Sequence, residues 1–460
     1  MRRAAALLLL FPALSASLGA QQLPAVAAAS RVADSLARDF IAAGGAPSVA
    51  IGVVRGADTI VLQAWGIADL ELNVPASAGS VYRIGSVTKQ FTAAAVMQLL
   101  EQGKARLDDS IATHLSGLPV AWGRVTIRQL LNHTSGIPSY TSLGQAWEHR
   151  WGEEMTPDTL VALTAAMPMW FEPGSEWRYD NSGYVVLGML IEKLTGRSWG
   201  ADLEQRFTRP LGLSDTRNCL VTPIIPNRVP GYEPAGKAWV HADYLAMSQP
   251  YAAGAICSTV GDLAKWNRAL HTGKVVSAES YALMTTPEGA AAAAPLKYGF
   301  GLGRDTVGGR PVITHGGGIH GFISANLWMP DVELSVTVLT NSGSAPAGRL
   351  QRQLVLAALG MPLEQPAKEM PLAAADRVKY LGVYALALPS GPRDFTIAEE
   401  EDHLTAQLAG QVATPILFYG DDTFGMRFDP ALRLIFEVEN GRATKVVLLQ
   451  GGGRYEGRRK

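Results

Sequence analysis

Apolar positions along the chain change period several times, and the changes divide it into elements. Over Val32 to Ala43 apolar residues recur every three to four positions, which predicts an amphipathic helix. Two runs rich in β-branched residues follow, Ser48 to Val54 (SVAIGVV) and Thr59 to Trp65 (TIVLQAW). The intervening Arg55-Gly56-Ala57-Asp58 reads as a hairpin turn. The period then becomes helical over Ser86 to Gln102, with Phe91, Met97, Leu99 and Leu100 on the buried side and Gly103 as the stop. Thr126 to Asn132 reads as a short helix with Thr126 as N-cap, and Ser182 to Thr195 and Gly261 to Leu270 read as further helices. Strand-like runs return at Pro311 to His315, Phe322 to Met329 and Leu334 to Thr340, before a helix over Ala345 to Leu359.

Strands at both ends of the first 360 residues enclose a mostly helical middle. That order predicts an α+β fold, an α/β sandwich: one antiparallel sheet drawn from both chain ends, flanked by helices, with a helical subdomain inserted. The stretch Gly360 to Ala374 holds three prolines, which predicts a linker over 361–374. Beyond it, over 375–460, short strand-like runs include Pro415 to Tyr419, closed by a turn signal at Gly420-Asp421-Asp422. Leu432 to Val438 and Lys445 to Leu449 are two more. Such spacing predicts a small β barrel or sandwich.

The first 20 residues are an address. Arg2 and Arg3 precede the apolar run Ala4 to Leu14, and small residues lead to Ala20, the pattern of a secretory signal peptide over 1–20. The run is short for a membrane span and contains Pro12, and no later segment offers about 18 uninterrupted apolar residues. The expectation is a periplasmic or secreted protein without a stable membrane anchor, whose first domain covers 21–360. With 40 Lys+Arg against 41 Asp+Glu, no global basic field favours nucleic acid. The eight His residues are scattered without an H-E-x-x-H arrangement, so neither a metal nor another cofactor is expected. Cys219 and Cys257 either pair, if the fold brings them together, or stand as separate partly buried thiols.

Three segments could carry chemistry. In Ser86-Val87-Thr88-Lys89, helical spacing sets the Lys89 amine beside the Ser86 hydroxyl at a helix N-terminus, where backbone N–H groups favour developing negative charge. A hydroxyl is a weak nucleophile until a neighbour takes its proton. In Tyr179-Asp180-Asn181, a Tyr whose pKa is lowered by a nearby ammonium can serve as base, and Asn181 can orient the Lys or hold a substrate amide. In Thr314-His315-Gly316-Gly317-Gly318, glycines let a substrate backbone approach and free an N–H for an oxyanion hole. Each segment also has a plain reading: a solvated helix start, a capped polar loop and a Gly-rich hairpin turn.

Order and separation join them. Ser-x-x-Lys, Tyr-x-Asn about 90 residues later and a His-x-Gly strand further on resemble the serine β-lactamase and penicillin-binding protein superfamily. Tyr-x-Asn is similar to the class C β-lactamase branch, which also holds D-aminopeptidases, D,D-carboxypeptidases and esterases. Leu131-Asn132-His133-Thr134-Ser135-Gly136-Ile137, Pro210-Leu211-Gly212-Leu213, Gly254-Ala255-Ile256-Cys257-Ser258-Thr259 and Tyr298-Gly299-Phe300-Gly301 look like the same family, so the resemblance spans about Asp34 to Leu359. Tyr380-Leu381-Gly382-Val383-Tyr384 and the ending Gly451 to Arg458 resemble the lipocalin-like domain appended to many such hydrolases.

The resemblance implies acyl transfer through Ser86, with Tyr179 and Lys89 taking the serine proton. The N–H groups of Ser86 and Gly318 would hold the oxyanion, and Asn181, His315 and Gly317 would bind substrate. That substrate would be an ester, an amide, a D-amino-acid peptide, including one derived from cell wall, or a β-lactam. His315 stands where the β-lactamases usually offer Lys, which looks like the peptidase and esterase members. Titration of His315 near neutrality would then make carboxylate-bearing substrates bind better as pH falls. Two rivals remain. One is a non-catalytic penicillin- or peptidoglycan-binding protein of the same fold. The other is an α/β-hydrolase using Gly196-Arg197-Ser198-Trp199-Gly200, a stretch whose plain reading is a helix C-cap and turn.

Overall fold

The computed structural model describes residues 18–460 apart from 237, 365–367, 389–390, 401, 410–412, 427–431 and 451–452. The expected leader therefore lies outside the described residues except for its last three, which begin helix α1 (Leu18–Ala42). Among the described residues no helix is long and apolar enough to cross a membrane.

An eight-stranded sheet organises the first domain. Its strands are β1 (Ser48–Arg55), β2 (Asp58–Asp69), β3 (Val74–Pro75), β4 (Lys297–Tyr298), β5 (Gly303–Val307), β6 (Arg310–Ile319), β7 (Phe322–Met329) and β8 (Leu334–Thr340). They run in the order β3-β2-β1-β8-β7-β6-β5-β4, every pair antiparallel. The two ends of the domain thus meet in mid-sheet, where Ile51 faces Val338 and Val53 faces Val336. Covered on both faces, β1 is buried from Ser48 to Val53, which is why its sequence reads as continuous rather than alternating apolar. The β1–β2 hairpin turns through Gly56 and Ala57, with Gly56 at φ +56°.

Helices close both faces. Helix α1 and the C-terminal helix α5 (Ala347–Ala358) cover one, and Ala33, Ala37, Leu350 and Leu354 meet Val49, Ile51, Val336 and Val338 there. On the other face α2 (Thr88–Glu101) and α4 (Val260–His271) stack Phe91 on Trp266 at 3.8 Å between centroids. The helical insertion between β3 and β4 includes α3 (Ser182–Thr195). Thr126 caps its short helix through a reciprocal bond pair with Gln129, and Thr259 caps α4.

Two local expectations change, and the plain reading of a third stretch holds. Ser86 lies not on the α-helix but in a 3₁₀ turn, Gly85–Val87, immediately before it. Strand β6 runs past His315 through all three glycines to Ile319, so the triplet is strand, and the turn falls at His320 and Gly321. Ser198 is an exposed N-cap that accepts a bond from the Ala201 N–H, just past Gly196 at φ +69°, so the Gly-x-Ser-x-Gly stretch is a cap and a turn. Cys219 and Cys257 are free and buried, Cys257 within a small sheet built from Tyr82–Arg83, Ile256–Ser258 and Arg217–Asn218 and Cys219 just past its last strand, with the two thiols interacting.

The C-terminal strands, from Gly382 to Arg459, form a closed eight-stranded barrel; of barrel or sandwich, the fold takes the barrel. Tyr380, Tyr384, Phe395, Phe424 and Phe436 fill it, a core that shares no residue with those of the first domain.

Candidate active site

Ser86 is presented by a braced turn. The Ile84 N–H donates to the Ile256 carbonyl at 3.0 Å, the Ile256 N–H donates to Thr88 Oγ1 at 3.1 Å, and Ser324 Oγ donates to the Ile84 carbonyl at 2.8 Å. Gly85 takes φ +49°, and a Cβ there would sit about 3.0 Å from Gly318. The turn and strand β6 are therefore in van der Waals contact, with Ser86 partly open to solvent between them.

Lys89 rises from the first turn of α2 and is fully buried. Its Nζ donates to Asn181 Oδ1 at 2.8 Å and to the Ala253 carbonyl at 2.9 Å, and lies 3.4 Å from Ser86 Oγ. Burial lowers its pKa from 10.5 to about 7, and Asp180 opposes the shift. The carbonyl and carboxamide oxygens only accept, so a neutral amine spends both its hydrogens on them and turns its lone pair to Ser86.

Tyr179 lies beside this pair, with Lys89 Nζ 4.7 Å from its ring centroid. Here the expectation of a lowered phenol pKa fails. Burial raises it above the usual value, Asp180 and Tyr140 add to the rise, and only Ser86 opposes it. Its hydroxyl faces Ser86 but makes no full hydrogen bond among the described residues. Tyr179 at rest is a neutral phenol, a donor rather than a base.

His315 also departs from expectation. Burial pushes its pKa down to about 3, and Lys89 pushes the same way, so it stays neutral at working pH. Nδ1 faces the Gly316 carbonyl, which only accepts, so Nδ1 carries the proton and Nε2 accepts from the Tyr298 hydroxyl at 2.8 Å. It supplies no cation for a substrate carboxylate. The β5–β6 pairing ends at Gly303 and Thr314, whereas β6 continues to Ile319. Among the described residues its outer edge from His315 onward has no strand partner, and Gly316 and Gly318 are exposed there. Gly317 points the other way, into the turn that carries Ser86, where a Cβ would strike Ile84. It permits the approach of strand to turn and does not face substrate.

The fold brings Ser86, Lys89, Tyr179, Asn181, His315, Gly317 and Gly318 into one region. A family model described as beta-lactamase matches residues 33–360. The chain belongs to the beta-lactamase family. A D-aminopeptidase of Brucella ovis is 29% identical over 329 residues, which cover 70% of this chain and 61% of that protein's length. Penicillin-binding protein 4* of Bacillus subtilis is 25% identical over 87% of this chain and 92% of its own. Among solved structures, a D-stereospecific amidohydrolase from Streptomyces sp. superposes with a TM-score of 0.61 at 30% identity, covering 73% of this chain and 99% of that one. An octameric penicillin-binding protein homologue from Pyrococcus abyssi gives 0.66 at 25% identity, covering 92% and 99%.

In this member of the beta-lactamase family, three buried groups behind the site were not singled out from sequence. They are His133, Asp180 and Tyr298. His133 and Tyr298 sit in stretches that carried the family resemblance, and Asp180 lies between Tyr179 and Asn181. Only the fold shows that their side chains surround Tyr179.

Proposed function

We propose that this beta-lactamase-family hydrolase cleaves amides of D-amino acids or short D-peptides through a covalent acyl-enzyme on Ser86. The carrying observation is the Lys89 amine: it is buried, has a pKa near 7, and is tethered to two pure acceptors with its third direction on Ser86 Oγ. The D-amide class is supported by the D-aminopeptidase and D-stereospecific amidohydrolase relatives.

Neutral Lys89 takes the Ser86 proton as Oγ attacks the carbonyl carbon, and the carbonyl electron pair moves onto oxygen. The N–H groups of Ser86 and Gly318 hold that oxyanion; losing one such donor typically costs about 2.7–4 kcal/mol of barrier. Collapse expels the amine, which leaves with a proton delivered through the Tyr179 hydroxyl and replenished from Lys89. Water then repeats the sequence on the ester and frees Ser86. Export under the leader is part of the same proposal.

The test is intact mass after adding a penicillin, alongside release of p-nitroaniline from D- and L-alanine p-nitroanilide, with Ser86→Ala as control. Ser86-dependent turnover that favours the D-enantiomer is the expected result. A lasting penicillin adduct without turnover would instead support a penicillin-binding protein that does not act on amides.

A further inference from the structure

His133 is fully buried, yet no step of the acyl transfer uses it. Its backbone sits at φ +63°, a region that non-glycine residues enter at a cost and that clusters at functional sites. What surrounds it explains the cost. The Arg178 N–H donates to the His133 carbonyl at 3.1 Å, and the Asp180 N–H donates to His133 Nδ1 at 3.3 Å. One residue therefore holds the backbone on both sides of Tyr179, at the N–H groups of Arg178 and Asp180. Its ring packs on the Tyr179 ring at 4.2 Å between centroids, with Tyr298 at 4.7 Å and Tyr184 at 5.2 Å behind. Nδ1 also lies 3.5 Å from Asp180 Oδ2, and Nε2 is buried with no hydrogen-bond partner among the described residues.

We infer that His133 is a positioning residue that clamps Tyr179 from three sides and so aims its hydroxyl at Ser86. This rests on the acyl-transfer reading above. A phenol that makes no full hydrogen bond to its target gains its aim from behind. A displacement of about 1 Å at such a group can cost on the order of a hundredfold in rate. Burial lowers the pKa of the imidazole, and the Asp180 carboxylate opposes that shift.

The experiment is a double-mutant cycle on Ser86-dependent p-nitroanilide turnover, with thermal melts of each variant. His133→Ala is expected to lower kcat by about a hundredfold with KM nearly unchanged. Added to Tyr179→Phe, it should cost nothing more. His133→Asn should recover much of the loss, because Asn tolerates this backbone region and its carboxamide oxygen can accept the Asp180 N–H. Should His133→Ala fail to fold, His133→Gly carries the cycle, since glycine adopts φ +63° freely and likewise lacks both ring and acceptor. The inference is overturned if the His133 variant costs the same factor with and without the Tyr179 hydroxyl, or if it costs nothing. If Tyr179→Phe is silent while Ser86→Ala is dead, the role given to Tyr179 falls, and the clamp with it.

Discussion

Gly317 faces Ile84 so closely that a Cβ added to it would lie 2.0 Å from the Ile84 carbonyl oxygen and 2.5 Å from Ser324 Oγ. That contact sets the distance between strand β6 and the turn bearing Ser86, and hence the width of any oxyanion site between Ser86 and Gly318. Gly317→Ala must push the strand outward or swing the turn, an overpacking that costs about 1–3 kcal/mol. Melting temperature should fall, and Ser86-dependent turnover should fall much further. Gly316→Ala is the control, since its Cβ would meet only the Ser324 carbonyl, at 3.6 Å. Equal melting and turnover in the two variants would show that the contact does not set the site.

Lys89 predicts the pH profile. In the proposed acyl transfer the neutral amine is the working form, so kcat/KM should rise with pH, about tenfold per unit, and level off above about 7. Tyr179, shifted upward, adds no limb in that range. Stability carries the same signature with a definite sign. In the folded protein Lys89 loses its proton near 7, but in the unfolded chain only near 10.5. Between those values the unfolded state binds more protons, so wild type gains stability as pH rises. Its melting temperature should climb relative to Lys89→Met from pH 7 to pH 10. A constant gap would mean that Lys89 is not desolvated.

How much of this was legible beforehand follows from distance in the chain. The spacing of Ser86 and Lys89 is local, and their contact could be read directly, although the serine sits in a 3₁₀ turn rather than on the helix itself. The sheet drawn from both chain ends was legible because β1 and β8 are dense in β-branched residues. Asn181 was read as an orienter of Lys89, and the 2.8 Å contact gives it that place. The pKa directions at Tyr179 and His315 were not legible. They are set by desolvation, with His133 and Tyr298 packed on Tyr179, and Tyr179 and Tyr298 on His315, segments that only the fold brings together. The glycine triplet misled in a different way. Glycine favours turns, but Gly317 is present because backbone passes against it.

His315 gives a prediction opposite in sense to the one its residue type suggests. A histidine held to a pKa of about 3 is uncharged from pH 5 to pH 8. Any strengthening of carboxylate binding as pH falls through 7 must come from protonation of Lys89. His315→Gln should therefore leave the pH dependence of KM for a carboxylate-bearing substrate unchanged. If that dependence disappears in the variant, His315 is the titrating group and its environment is more polar than its burial indicates.

The C-terminal barrel should be separable. Its strands pair only with one another, from Gly382 round to Arg459, and its aromatic core shares no residue with the two cores of the first domain. The Tyr380 hydroxyl donates to Asp422 at 2.6 Å, and the Tyr384 hydroxyl donates to the Tyr380 carbonyl at 2.7 Å, so the polar ends of these buried rings are satisfied within the barrel. A unit with its own core and its own hydrogen bonds is expected to unfold on its own. Calorimetry of the full chain should show two transitions. Removal of 375–460 should abolish one of them and leave Ser86-dependent turnover within about threefold of the full chain. A single transition, or a truncated chain that folds but has lost turnover, would show that the barrel completes the site instead of accompanying it.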